Sequence, residues 1–306
     1  MADSKPAPAP TSTPPEREFT VAARSQWQMV LRRFLSHKLA VASLVIFLLL
    51  VLTSLFGGHF WKYKFDSAAT SPPSHPPSLH NPLGTDDIGR DELALLLRGA
   101  QKSVQIALLV ALLSTSFGAA LGAVAGYYRG FVDSVLMRFT DLVLTIPLFA
   151  ILAVLAHIAT GGGWLFIAIV LAAVEWVVIA RVVRGTFLSL REKEFVEAAR
   201  ALGATNRRII FRHLLPNATG PIIVNATIVV ALAILLETAL TYVGLGVHSP
   251  DTSLGLLVQT GQSAAQTRPW LFYFPGLAIV IIALTINFIG DGLRDAFDPT
   301  QTRVRA

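Results

Sequence analysis

LAVASLVIFLLLVLTSLF, residues 39–56, decides the fold class: its eighteen residues carry no charge, and thirteen of them are Leu, Ile, Val or Phe. At roughly −0.3 to −0.6 kcal/mol for each such side chain near a helix centre, insertion into a bilayer gains about 4–8 kcal/mol. As a helix the run is about 27 Å long, close to the thickness of the hydrocarbon layer. Working toward the C-terminus, further uncharged or nearly uncharged runs follow at about 103–128, 142–160, 164–180, 220–245 and 269–290. The third is interrupted by Pro147 and His157, the fourth carries Glu175 and the fifth carries Glu237. The composition agrees, with 53% hydrophobic and 14% charged residues and a mean hydropathy of +0.60. A soluble domain carries about 25% charged residues. An all-α polytopic membrane protein with six transmembrane helices is therefore expected. A soluble domain, a disordered chain and a disulfide scaffold are excluded, the last because there is no Cys.

Working toward the N-terminus, residues 26–38 have a different pattern. Trp27, Val30, Leu31, Phe34 and Leu35 recur at helical spacing, with Gln28, Arg32, Arg33 and Ser36 on the other face. That predicts an amphipathic helix with a cationic side, lying along the headgroups. Residues 1–25, rich in Pro, Ala and Ser, are expected to be a disordered tail. The first apolar run starts only at residue 39 and is long enough to span, so an uncleaved anchor is expected rather than a cleaved signal peptide.

Charge placement sets the orientation. With the N-terminus placed in the cytoplasm, 19 Lys and Arg residues fall inside, in the tail, the 127–138 turn, the 181–219 loop and the C-terminus from 290. Only Lys62, Lys64, Arg90, Arg98, Lys102 and Arg268 fall outside. The positive-inside rule then predicts both termini in the cytoplasm, with 57–102 and 246–268 external.

The loop between the fourth and fifth spans, RGTFLSLREKEFVEAARALGATNRRIIFRHLLPN (184–217), is long, charged and helically patterned. Phe195, Ala198, Ala199 and Leu202 predict one narrow apolar face, opposite Glu194, Glu197 and Arg200. Gly203 stands where a helix ends in a left-handed residue, and Thr205 can cap a second helix running to about Leu215, closed by Pro216. A rigid helix–turn–helix at the inner face is expected, built to touch a partner; a pair of helices lying on the membrane surface is the alternative.

Glu197-Ala198-Ala199, Gly203 and Leu215-Pro216 resemble the EAA loop of ABC importer permeases. The family pattern has Ile two residues before the Leu-Pro; here that residue is His213, with Leu214 beside it. HNPLGTDDIGRDELALLLRGAQKS (80–103), GYYRGFVDSVLMRFTDLVLTIP (126–147) and NFIGDGLRDAFDP (287–299) resemble the dipeptide/oligopeptide/nickel group, the last its C-type permease subunit. The resemblance spans about 26–300 and implies a type I ABC importer permease of a bacterial inner membrane. It implies that Glu197, Ala198, Ala199, Arg200 and Gly203 belong to a coupling helix that docks on an ATPase. It also implies a homologous second permease, two ATPase domains that bind ATP and Mg, an extracytoplasmic substrate-binding protein and a peptide substrate moved by alternating access. The surrounding bilayer is the remaining partner, and no nucleic acid is expected.

The chain has no GxxxxGK[ST] phosphate loop, no HExxH, no GxSxG and no Cys/His metal spacing, so no enzymatic site, cofactor or metal is expected in it. Nickel or another small solute is the alternative cargo. An ion-coupled secondary carrier and a membrane scaffold are alternatives of other classes, although no internal repeat is apparent. Each intramembrane acid costs on the order of 2–3 kcal/mol near mid-span. Glu175 and Glu237 are thus either path-lining residues or hydrogen-bonded ties within the bundle. Pro147 marks a kink site, and Gly118, Gly122 and Gly126 permit a close helix crossing, within the chain or with the second permease. In the outer segment, Thr85 is expected to cap a helix with Asp86 and Asp87 in its first turn.

Overall fold

The computed structural model describes residues 26–69, 71–158 and 163–298, so the expected tail and the last residues lie outside the described segments. Within them the chain is helical and forms no named strand. A short helix α1 (Gln26–Ser36) leads into the first span, α2 (Lys38–Phe60). After the 61–91 segment comes α3 (Glu92–Tyr128), then α4 (Gly130–Thr145), α5 (Leu148–Ile158) and α6 (Gly163–Arg191). Helix α7 (Glu194–Ala201) is followed by α8 (Asn206–Arg208), a π-helical turn (Ile209–Leu214) and α9 (Leu215–Tyr242). Finally α10 (Leu254–Gly261) precedes α11 (Trp270–Phe297). Five helical rods are long and apolar enough to cross a membrane, and the α4–α5 pair, bent by 86°, makes a sixth crossing if counted as one. Both described chain ends sit at one end of the bundle, here the terminal end: the Trp27 and Phe297 rings meet edge to face at 6.0 Å. The 61–91 and 243–269 segments lie at the far end.

Several boundaries differ from the hydropathy runs. The second span begins at Glu92 rather than 103, and the fourth continues through 180 to Arg191, because a helix need not stop where charge begins. The sixth likewise runs on past residue 290 to Phe297. The third, expected at 142–160, is not one helix. It starts at Gly130 and breaks at Ile146–Pro147, where proline removes a backbone donor and its ring blocks the preceding turn; its expected last residues, 159 and 160, lie outside the described segments. The fifth, expected at 220–245, starts at Asn206 and runs unbroken to Tyr242. Pro216 therefore does not close a separate helix. The π-turn explains why: Leu215 donates its N–H to Ile210, five residues back, and this widened turn accommodates the proline that follows.

Helices α3 and α6 form the centre of the bundle. At Gly118, Gly122 and Gly126 an added Cβ would lie 2.5, 2.4 and 2.7 Å from the carbonyl oxygens of Trp176, Ala180 and Arg184. The glycine stripe thus seats α3 directly on the backbone of α6, within one chain. Ile106, Val110, Leu171, Ile179, Val183 and Phe187 are buried in the same core, together with Ile234 of α9.

At the far end, Asp91 organises the 61–91 segment. It caps α3 by accepting from the Ala94 N–H at 2.9 Å, and it also accepts from Trp61 Nε1 (2.8 Å) and Asn81 Nδ2 (2.7 Å). The cap is therefore Asp91 and not Thr85. Gly89 forces that choice, since its φ of +78° cannot be continued as a right-handed helix. Thr85 is buried in the loop, where its hydroxyl accepts from His75 N–H and donates to the Pro72 carbonyl. Asp86 holds Arg90, and Asp87 pairs with Arg268 at the entrance of α11.

Helix α1 splits its apolar face. Phe34 is buried and Val30 half-buried in a cluster with Ile289 and Ala296 of α11, whereas Trp27, Leu31 and Leu35 stay exposed.

Candidate coupling loop and buried polar ties

Helix α7 is short, so its orientation depends on its ends. Beyond Leu202, Gly203 takes φ +77°, its N–H donates to Arg200 O, and Ala204 N–H donates to Ala199 O, each at 3.0 Å. These two bonds form a Schellman closure. Thr205 Oγ1 accepts from Arg208 N–H at 3.4 Å and starts α8, as its type and place predict. The loop is thus a rigid bracket between α6 and the α8–α9 rod.

The apolar face expected from Phe195, Ala198, Ala199 and Leu202 is divided. Val196 (0% exposed) and Ala199 pin the helix to the bundle, while Phe195, Ala198 and Leu202 (89% exposed) form an exposed stripe. The cause is the three-to-four-residue alternation: Val196 and Ala199 are i,i+3 neighbours on the inner side. Glu197, Arg200 and Gly203 are exposed beside the stripe. Of the residues expected to dock, Glu197, Ala198, Arg200 and Gly203 are accessible and Ala199 is an anchor.

The corner between α3 and α4 grips the same region. Arg129 pairs with Glu192, and Arg184 makes two hydrogen bonds to Asp133, at 2.8 and 2.6 Å. Tyr127, 4% exposed, donates its hydroxyl to Asn206 Oδ1 at 2.7 Å, and Arg191 donates to the Tyr127 carbonyl. Nothing in the sequence pairs residue 127 with residue 206; the signal that could have pointed to it is a tyrosine pair at the end of a glycine-stepped helix.

The two intramembrane acids have different surroundings. Glu237 is fully buried. Ser103 Oγ donates to its Oε2 at 3.0 Å and Thr241 Oγ1 to its Oε1 at 2.9 Å, while Leu254 N–H donates to Ser103 Oγ. It ties α9 to α3 and to the start of α10, with both of its carboxylate oxygens accepting hydrogen bonds. Glu175 is 5% exposed and has no hydrogen-bond or ionic partner among the described residues.

A third tie lies between α3 and the segment before α10. Arg98 Nε donates to Asp251 Oδ1 at 2.8 Å, Lys102 Nζ lies 3.4 Å from Asp251 Oδ2, and Lys102 also sits 4.5 Å from the Trp164 ring centroid. Burial alone would raise the Asp251 carboxyl, but the hydrogen bonds from Arg98 and the Thr252 N–H, with the Arg98 and Lys102 charges, outweigh it and hold it below its usual value. A depressed folded-state value means this tie contributes fully above the unfolded value near about pH 4 and is lost as pH falls through the lower folded one. Asp251→Asn should therefore lower the thermal midpoint at pH 7 and reduce its loss on acidification. Midpoints of purified protein between pH 3 and 7 check this; parallel curves for the two proteins would refute it.

Residues 118–303 match the family model "Binding-protein-dependent transport system inner membrane component", and residues 25–77 match "N-terminal TM domain of oligopeptide transport permease C". The oligopeptide transport system permease protein OppC of Mycobacterium tuberculosis (strain ATCC 25618 / H37Rv) is 40% identical over 282 residues, covering 92% of this chain and 97% of that protein. The dipeptide transport system permease protein DppC of Alkalihalophilus pseudofirmus is 38% identical over 293 residues, covering 95% of each. OppC of Escherichia coli (strain K12) is 38% identical over 284 residues, covering 92% of this chain and 94% of that protein. Among solved structures, a chain of the inward-facing MetNI methionine ABC transporter superposes with a TM-score of 0.56 at 20% identity, covering 67% of this chain and 96% of that one, a likeness of fold alone. With a family model over most of its length and relatives near 40% identity along nearly all of it, the chain belongs to the family of binding-protein-dependent transport system inner membrane components.

Proposed function

We propose that this chain is the C-type permease subunit of an ATP-driven importer of di- or oligopeptides in a bacterial inner membrane. Both termini and α7 face the cytoplasm, in keeping with the excess of Lys and Arg at the terminal end. A homologous permease completes the path, two ATPase domains supply the energy, and an extracytoplasmic binding protein delivers peptide to the far end. The chain hydrolyses nothing and holds no cofactor of its own.

The observation that carries this reading is the coupling bracket: an apolar stripe, Phe195–Ala198–Leu202, bordered by Glu197 and Arg200, on a helix whose C-terminal end is fixed by hydrogen bonds. A soluble motor that seats this stripe moves α6 and the α8–α9 rod through the same 14-residue loop, 192–205. Residues Glu197, Ala198, Arg200 and Gly203 meet the ATPase, and Ala199 holds the helix to the bundle. Glu175 lines the path: an intramembrane carboxyl without a partner among the described residues needs water, a peptide ammonium or the second permease to compensate it.

The test is reconstitution. The four membrane-associated subunits in vesicles, with the binding protein outside and ATP inside, should accumulate labelled peptide. Uptake by this chain alone, driven by an ion gradient, would replace the proposal with a secondary carrier. Accumulation of nickel with no response to peptides would replace the cargo.

A further inference from the structure

We infer that Tyr127 is the joint through which the 192–205 loop moves α3, and that its hydroxyl bond to Asn206 is a positioning contact needed for coupling. This rests on the coupling role proposed for that loop. Both feet of the loop stand on this one residue. Arg191, the last residue of α6, donates to the Tyr127 carbonyl, and its guanidinium lies 5.5 Å from the Tyr127 ring centroid. Asn206, the first residue of α8, accepts from the Tyr127 hydroxyl at 2.7 Å. The carbonyl is free for this purpose because it lies in the last turn of α3, where no further helical N–H follows to take it.

The mechanical consequence follows from the neighbours. One residue before Tyr127, Gly126 seats α3 on Arg184 and Phe187 of α6, and two residues after it Arg129, with φ +59°, caps the end of α3. The end of α3 is therefore held against α6. A displacement of α7 that shifts Asn206 must either carry Tyr127 with it or break the bond. With the bond intact, α3, α6 and α9 move as one set, and the tie of Ser103 to Glu237 returns the same pairing of α3 and α9 near the far end. Without it, α9 can follow the loop while α3 remains behind.

The test uses the full transporter in nanodiscs, with its ATPases and binding protein. Tyr127→Phe keeps the ring under Arg191 and removes only the donor. It should assemble, keep basal ATP hydrolysis and thermal midpoint, and lose about fivefold or more of the hydrolysis stimulated by peptide-loaded binding protein. Peptide moved per ATP should fall as well. Asn206→Ala should give the same loss, and the double variant should be no worse than either single one, because a single bond is removed. Glu197→Lys separates the two ideas. If it abolishes stimulation while Tyr127→Phe stays within about twofold of the parent, coupling stands and the joint is refuted. If Glu197→Lys is itself without effect, the coupling reading fails and the joint falls with it. A loss in Tyr127→Phe that affects basal and stimulated hydrolysis equally, together with a lower midpoint, would mark Tyr127 as merely structural and also refute the joint.

Discussion

Gly203→Pro should abolish peptide uptake and binding-protein-stimulated ATP hydrolysis in the assembled transporter, a loss of about tenfold or more, while the chain still inserts and folds. Proline fixes φ near −65° and has no N–H, whereas this position takes φ +77° and donates to Arg200 O at 3.0 Å. The substitution therefore opens the closure that aims α7. It does so at a site where no atom lies within 4 Å of an added Cβ, so the core is untouched. A graded series isolates the cause. Gly203→Ala meets no obstacle and bears only the left-handed strain of about 1–2 kcal/mol, so it should be partly active, and Gly203→Asn should be closer to the parent. Equal activity of the Pro and Gly proteins would show that the orientation of α7 does not matter to transport.

Gly122→Val should have the largest effect on the fold. Its Cβ would stand 2.4 Å from the Ala180 carbonyl oxygen and 2.9 Å from Val183 Cβ, and neither the backbone of α6 nor a β-branched side chain can swing away. Overpacking in cores costs typically about 1–3 kcal/mol, and an obstacle made of backbone places this case at or above the top of that range. Separating α3 from α6 would also loosen Gly118 and Gly126, which sit on the same carbonyl row. The purified chain should show a much lower thermal midpoint or fail to accumulate. Gly185→Ala is the control, because that helical glycine has nothing within 4 Å and gains about 0.5–1 kcal/mol of helix propensity. If Gly122→Val and Gly185→Ala behaved alike, the close crossing would not exist in the folded protein.

The kink at Pro147, the capping threonine 205 and the left-handed Gly203 follow the sequence because each is a property of one residue and its immediate neighbours. The places where the reading departed from the structure involve competition between nearby signals. Thr85 and Asp91 are both good caps, and the left-handed Gly89 between them selects the second. Pro216 is a good terminator, and the π-turn before it cancels that effect. Ala199 and Ala198 are equivalent by type, and the register of α7 on the bundle buries one and exposes the other.

What the sequence determined alone is the transmembrane class, the general course of the apolar runs and the existence of a helical bracket between two of them. Transfer free energy and helix capping act through single side chains and short stretches, so a linear text records them. What tertiary structure decided is the set of polar ties: Tyr127 with Asn206, Ser103 with Glu237 and Arg98 with Asp251, which are 79, 134 and 153 residues apart in the chain. Hydrogen bonds depend on distance and angle between groups that only packing brings together, and no periodicity along the chain encodes which donor will meet which acceptor.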